Sequence, residues 1–507
     1  MGEAYPRRWW GLGALGLALL ALGFDLTILN VALATLSEEL DAGTRELQWI
    51  VDAYVLVFAA LLLPAGLLGD RFGRKRLLLV GLALFGAASL GGAMADGASG
   101  VIIARLFMGV GAAIVMPLSM SILPSIFPPE ERTRAVAVWS ASMALGLPLG
   151  PLLGGWLLEH FWWGSIFLIN VPMVVIGGIA VAVLLPESRD PSAPGVDWLG
   201  AVLSMGGLTA LVYGVIEAPV AGWTDITVLG ALAGGVLLLA NFVIWEMRAE
   251  QPLTDVRLFR DATFSWAVVA GTLGTLVMAG VLFVLPQYLQ VVQGNGVFAT
   301  GVRLIPMLLG FMAGGIATDR LAGRLGNKAI TVAGLFAMAL GLGVGALTSV
   351  DDGYGFAAVW LTVLGVGIGL TIIPAMDSVI ARLPADQAGR GSALVQTLRQ
   401  TGGALGIAGL GSLLSAVYRD AMPADAADAA RDSVGGAAAL AERVGDGALL
   451  ASARDAYVQG MDAALGVCAV AALAVAILVW TFQPAPGPST ASRPTDAPES
   501  DHEHAAY

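Results

Sequence analysis

Charge is scarce in this chain. Only 13% of its 507 residues are Asp, Glu, Lys or Arg and 57% are hydrophobic, whereas a soluble domain is about 25% charged. That shortage excludes a water-solvated fold and indicates an integral membrane protein with many spans. Cysteine is nearly absent. Cys468 stands alone, so no internal disulfide can form, and its place in the last apolar run reads as packing. Histidine is confined to His160, His502 and His504, too few and too scattered for a metal enzyme or a hydrolase; the last two lie in a Pro-rich polar tail and read as solvated. Lysine is confined to Lys75 and Lys328, and neither follows a glycine. The Gly-Lys-Ser/Thr of a phosphate-binding loop is therefore missing, and with it an ATP-driven pump. A membrane-embedded enzyme stays only as the alternative from another class.

What is present is a series of apolar runs, each near the length of about 20 residues that crosses a bilayer. Fourteen are expected, near 9–36, 47–69, 77–95, 100–127, 134–158, 164–185, 197–217, 226–246, 263–292, 300–318, 329–349, 356–380, 391–417 and 457–481. The first follows Arg7 and Arg8 but is too long for a secretory signal and lacks a small-residue cleavage site, so it is expected to be retained. With the N-terminus in the cytoplasm, 18 of the 26 basic residues fall on the inner side and 6 on the outer, with Arg105 and Arg399 inside spans. Basic loops stay inside, so both termini are expected in the cytoplasm. The Ala-, Asp- and Gly-rich stretch 418–456 would be external, with some helical potential, and the tail after residue 483 is expected to be disordered.

An internal repeat is visible. Gly66-x-x-x-Asp70-Arg71 leads into Gly73-Arg74-Lys75, and Gly315-x-x-x-Asp319-Arg320 leads into Gly323-Arg324. The copies follow the second and tenth spans, so two six-span halves with two extra spans between them are expected: 1–190, the inserted pair 191–262, and 263–482, followed by the tail 483–507. Parallel six-helix halves are the major facilitator architecture.

Here the chain resembles a known family. "GLLGDRFGRKR" (66–76) resembles the signature loop between helices 2 and 3 of major facilitator transporters, and "GLPLGPLLGG" (146–155) the helix-5 motif of its exporters. "DLTILNVAL" (25–33), "RLFMGVGAA" (105–113), "FWWGSIFLINVP" (161–172) and "GRGSALVQTLRQTGGALGIA" (389–408) resemble the fourteen-helix drug:proton antiporters, although Gly164 stands where an Arg is usual. The resemblance implies an all-α fold of fourteen transmembrane helices. It implies a monomer in the plasma membrane, driven by the proton gradient without a cofactor. It also implies proton-coupled export of small amphipathic drugs or antibiotics, cationic ones among them. A dedicated exporter of one metabolite or self-made antibiotic is the alternative. Neither an enzymatic activity nor a nucleic-acid partner is expected.

Candidate residues follow from the cost of polar groups in lipid. Asp25 is the one charge between Trp9 and Leu36, where an ionised side chain costs about 2.5–3.5 kcal/mol on insertion scales. At 1.5 Å per residue, Asp25 lies roughly 16 Å and Arg105 roughly 8 Å inside the outer ends of their helices, so an Arg side chain can bridge much of the difference. Ala18, Ala21 and Ala32 share the Asp25 face, which suits either packing or a pathway. A fixed ion pair and a proton-coupling site both remain open for Asp25 and Arg105. Asp52, near the outer end of helix 2, is the second proton candidate and is expected to face the outer vestibule. Gly66, Asp70, Arg71, Gly73, Arg74, Asp319 and Arg320 are read as gating loops. Gly66 and Gly69 would allow close helix contact, and Asp70 among four cations could lock one access state. Gly146, Pro148, Gly150, Pro151, Gly154 and Gly155 form a smooth, kinked helix 5 expected at the interface between halves. Asn30, Trp49, Tyr54, Trp139, Gln287, Tyr288 and Gln396 are candidate cavity-wall residues. Arg399 is assigned a structural or gating role, paired with a helix carbonyl or Asp377.

Overall fold

The computed structural model describes residues 5–189, 197–249, 256–380, 382 and 388–484; the side chains of Asp70, Pro148 and Asp319 are among a few helix positions outside this set. The 483–507 tail lies outside it from residue 485 onward. The described residues contain helices and no strand, as lipid demands of a chain whose backbone groups must pair internally. The main helices are α1 (Arg8–Glu39), α2 (Thr44–Phe72), α3 (Arg74–Ala93), α4 (Ala98–Ser121), α5 (Pro129–His160), α6 (Asn170–Leu184), α7 (Trp198–Ala221) and α8 (Ile226–Glu246). They continue with α9 (Ala262–Gln287), α10 (Val297–Thr318), α11 (Arg320–Gly345), α12 (Tyr354–Ile380), α13 (Ala388–Ala421) and α14 (Gly447–Phe482). Twelve candidate spans meet the length and apolarity of a crossing. With α2 at 29 residues and α5 at 32, the set is compatible with fourteen.

Polar residues punctuate these runs. The side chains of Asp197, Asp225, Asp261 and Asp446 accept hydrogen bonds from the first backbone N–H groups of α7, α8, α9 and α14, satisfying donors that a helix start leaves free. The two copies of the repeat end differently. In the first, α2 stops at Phe72 and Gly73 turns the chain at φ 114°. In the second, α10 continues without a break into the first residues of α11, and the left-handed turn falls inside α11 at Gly326, φ 75°, about one helical turn later. Loop 418–456 is shorter than its composition suggests. Helix α13 reaches Ala421 and α14 begins at Gly447, so α14, at 36 residues, is about 54 Å long and outreaches a hydrocarbon layer of about 30 Å. Between them lie the short helices Asp428–Asp432 and Val434–Val444.

Helices α1–α6 pack on one another, as do α9–α14, and the pair α7–α8 packs through α7 against both α2 and α13. The same fifth-on-first contact recurs in each group, α5 on α1 and α13 on α9. Each depends on glycine. A Cβ on Gly146 would sit 2.5 Å from the Phe24 nitrogen, and one on Gly402 would sit 2.8 Å from the Thr272 carbonyl oxygen.

Arg71, Arg76, Arg132, Arg189, Arg320 and Arg324 lie at one end of the bundle, here the basic end; the helices of 428–444 lie at the opposite, distal end. Hydrogen bonds between the two groups gather at the distal end. Gln48 of α2 donates to the Ala408 carbonyl of α13 at 3.0 Å, Gln290 to the Val31 carbonyl at 2.8 Å, and Thr44 to the Asp432 carbonyl at 2.8 Å. The bundle is closed distally in this state.

Candidate functional site

The lone carboxylate of the first span finds its counter-charge inside the first helix group. Arg105 Nη1 donates to Asp25 Oδ2 at 2.6 Å, and Asn170 Nδ2 donates to Asp25 Oδ1 at 3.1 Å. Arg105 Nε donates to the Ile50 carbonyl at 3.1 Å, and its guanidinium lies 4.2 Å from the Tyr54 ring centre. Asn170 Nδ2 also reaches Ser89 Oγ at 3.4 Å. One polar knot therefore ties α1, α2, α3, α4 and α6. The Asp25 and Arg105 side chains are 1% and 2% exposed, so both charges are taken out of solvent, a loss offset only by short charge-assisted bonds on both partners. The Asp25 face is packed in this state rather than pathway-lining. Asn170 and Ser89 escaped the sequence reading, although Asn170 stands in the stretch 161–172 that carries the family resemblance. The available signal was an amide in an apolar span.

Asp52 is enclosed too, and differently. It is 0% exposed, and neither carboxyl oxygen has a hydrogen-bond partner among the described residues. It lies one helical turn from Gln48, on the α2 face turned to α13. The expected opening toward the outer side is absent here, because the distal closure covers that face.

The loop after α2 is held by the end of α6. The Glu187 carboxylate accepts from the backbone N–H groups of Lys75 at 3.1 Å and Arg76 at 3.2 Å, and the Ser188 carbonyl accepts from Arg74 N–H at 2.9 Å. An anion at a helix start is favoured by the dipole. A Cβ on Gly73 would stand 3.0 Å from Glu187 Oε1, at a φ that disfavours any side chain. Close helix contact belongs to Gly69, whose Cβ would overlap the Leu118 side chain; Gly66 has room, its nearest neighbour being Pro117 Cβ at 3.6 Å. The Arg71 guanidinium sits 5.9 Å from the Phe72 ring centre, and Arg320 is exposed. The Asp70 and Asp319 side chains, and so the expected ion-pair lock, lie outside the described residues.

The glycines of α5 serve a different interface from the one expected. Gly146, Gly150 and Gly154 pack on α1 within the first helix group, facing Phe24, Thr27 and Ile28. Only the end of the motif reaches the last six helices. A Cβ on Gly155 would lie 2.6 Å from Phe298 Cα, and the Pro151 carbonyl borders Gly301. The Pro148 side chain lies outside the described residues.

The remaining candidates are scattered. Asn30 is buried and donates to the Leu26 and Thr27 carbonyls of its own helix, each at 3.4 Å; Gln287 likewise donates to Phe283 at 3.2 Å. Trp139 donates to Ser119 Oγ at 3.0 Å between α5 and α4. Trp49 lies beside Tyr213 of α7, ring centres 6.3 Å apart, and Tyr288 donates to the Ser349 carbonyl at 3.3 Å. Gln396 and Arg399 are half-buried on α13, and Arg399 Nε donates to the Thr275 hydroxyl of α9 at 3.2 Å. A separate cavity of about 480 Å³ opens at the distal end, bordered by Glu38, Gln290, Asn295, Glu442, Asp446 and Arg454.

Comparison with known proteins places this geometry. The profile of the Major Facilitator Superfamily matches residues 15–407. The tetracenomycin C resistance and export protein of Streptomyces glaucescens is 32% identical, over 95% of this chain and 93% of its own. The multidrug efflux pump LfrA of Mycolicibacterium smegmatis is 34% identical over 93% and 96%, and the methyl viologen resistance protein SmvA of Salmonella typhimurium is 33% identical over 94% and 98%. Among solved structures, a bacterial homologue of the human lysosomal transporter Spinster, inward-facing and unoccupied, superposes with a TM-score of 0.68 at 17% identity, covering 96% of this chain and 100% of that one. That likeness concerns the fold alone.

Proposed function

Since the chain belongs to the major facilitator superfamily, we propose that it is a proton-coupled antiporter exporting amphipathic, in part cationic, drugs or antibiotics across the plasma membrane by alternating access. The efflux and resistance names of relatives matched over nearly their whole length support export. The excess of Arg and Lys at one end supports placing that end, and both termini, in the cytoplasm. The distal end is then external, and the closed distal seam corresponds to a state with access from the cytoplasm. The proton gradient is the driving force, no cofactor takes part, and the working unit is a monomer. The likeness to a tetracenomycin C exporter favours a narrower second reading, one compound or a few.

The observation that carries the coupling is the pair of enclosed carboxyls in the first helix group, Asp25 against Arg105 and Asp52 at the seam. An unpartnered carboxyl at a closed interface is accommodated as the neutral acid, because an isolated charge there costs several kcal/mol. Opening the seam wets Asp52, and exchange of a proton with Asp25 changes its attraction for Arg105, which also holds α2. The test uses everted vesicles energised to an acidic interior, challenged with lipophilic cations and antibiotics while proton release is followed. Substrate-dependent release, lost in Asp25→Asn, is the expected result. Release that persists in Asp25→Asn but fails in Asp52→Asn moves the coupling to Asp52. No release with any compound overturns antiport of drugs.

A further inference from the structure

Within the Asp25 knot one atom has no partner. Asn170 is fully buried, and its Nδ2 serves both Asp25 and Ser89, while its Oδ1 has no hydrogen-bond partner among the described residues. A buried amide with its donors committed and its acceptor idle sits in one of two arrangements open to it. We infer that Asn170 is a positioning residue for Asp25, its amide turning over between the two charge states of that carboxyl. Nδ2 faces the ionised form and Oδ1 faces the protonated form. This rests on the proposed protonation of Asp25 during transport.

The chemistry balances. Against the carboxylate, both amide N–H groups donate, one to Asp25 Oδ1 and one to Ser89 Oγ. A proton from the aqueous phase binds Asp25 Oδ1, and Oδ2 continues to accept from Arg105, which keeps its own proton. An amide donor facing the new O–H has nothing to donate to. After a half-turn about the side-chain bond, Asn170 Oδ1 accepts from the Asp25 O–H and from the Ser89 hydroxyl, which can give or take a hydrogen bond. The number of hydrogen bonds that join the amide to Asp25 and Ser89 is unchanged, and the N–H groups take the place of the idle acceptor, a cost that the protonated acid must offset. Among the described residues, the charged or titratable groups turned toward Asp25 are Arg105 from α4 and Tyr54 from α2. From α3 and α6 come Ser89 and Asn170, and the facing part of α5 brings the glycines that pack on α1. The amide of Asn170 is therefore the neutral group that adapts.

The test is infrared difference spectroscopy of the full-length chain in lipid across a pH series, with the side-chain amides of asparagine isotopically labelled. The sequence holds five asparagines, so few bands compete. The expected result is a carboxylic-acid band that disappears in Asp25→Ser, together with a labelled amide band that shifts at the same pH midpoint. The labelled amide shift should be lost in Asn170→Leu and, with glutamine side chains labelled instead, reappear in Asn170→Gln. An Asp25 acid band without an accompanying amide shift, or an amide shift that survives in Asn170→Leu, overturns the role of Asn170 and leaves the antiport reading intact. Absence of any Asp25-dependent acid band removes the proposed coupling at Asp25 itself. The wild-type spectrum decides between these even where a variant does not fold.

Discussion

Replacing Gln48 by Leu isolates the energy that holds the distal seam shut. Gln48 is buried, and its amide donates to the Ala408 carbonyl at 3.0 Å, with longer approaches of 3.4 Å to the Ile407 carbonyl and to Ser412 Oγ. All of these partners belong to α13, so the contacts vanish when α2 and α13 part. The two carbonyls lie within α13, where they also serve the helix's own N–H groups, and Leu leaves no orphaned acceptor behind. The loss is thus close to one net hydrogen bond, about 0.5–1.5 kcal/mol, borne by the closed state alone. At about 1.4 kcal/mol per tenfold change, the distally open fraction should rise about two- to twelvefold. Ser415, 5% exposed and one turn beyond Gly411 on α13, serves as a reporter when changed to Cys in a Cys468→Ala background, and its rate of maleimide labelling follows the open fraction. Faster labelling in Gln48→Leu, with an unchanged rate at an exposed control such as Leu347→Cys, is expected. An equal or slower rate would show that Gln48 does not hold the seam.

Arg105→Met strands the Asp25 charge and should cost about 3–5 kcal/mol in thermal unfolding of the solubilised protein; adding Asp25→Asn should restore most of it, and a double variant no better than the single one counts against the ion pair. Gly150→Ala places a methyl 2.9 Å from the Phe24 carbonyl oxygen and 3.0 Å from the Ile28 nitrogen, so about 1–3 kcal/mol is lost by overpacking. Gly66→Ala meets nothing nearer than 3.6 Å and should stay within about 0.5 kcal/mol, so a transport defect there with normal melting would locate a functional requirement. At the basic end, the hydrogen bond from Arg8 holds the Glu131 carboxyl below its usual range. A depressed acid contributes stability above its unfolded value, about 4.3, and loses that contribution as pH falls through the depressed one. Wild type and Glu131→Gln should therefore show parallel melting temperatures from pH 5 to 8 and converge only in stronger acid.

Much of this was legible before any coordinates. Charges are so costly in lipid that their rarity points to the spans, their asymmetry to an orientation, and Asp25 and Arg105 to each other; the 2.6 Å pair follows that reading. Asn170 escaped because an uncharged amide stands out less in an apolar run than a charge does. The fourteenth helix was read ten residues short, at 457 rather than Gly447, because its projecting turns are polar and hydropathy marks only the part within lipid.

By itself, then, the sequence determined the class, the number of crossings expected and the isolated charges, since all of these follow from the transfer of side chains between water and lipid, which each residue carries locally. Tertiary structure alone decided which surfaces meet. The spacing of Gly146, Gly150 and Gly154 guarantees a smooth helix face, yet only the packed bundle turns that face to α1 instead of the opposite half. It alone encloses Asp52, with no hydrogen-bond partner among the described residues, behind the α2–α13 seam. Periodicity fixes the face a residue occupies, while the neighbour on that face, and the access state in which it is met, arise from contacts between segments hundreds of residues apart.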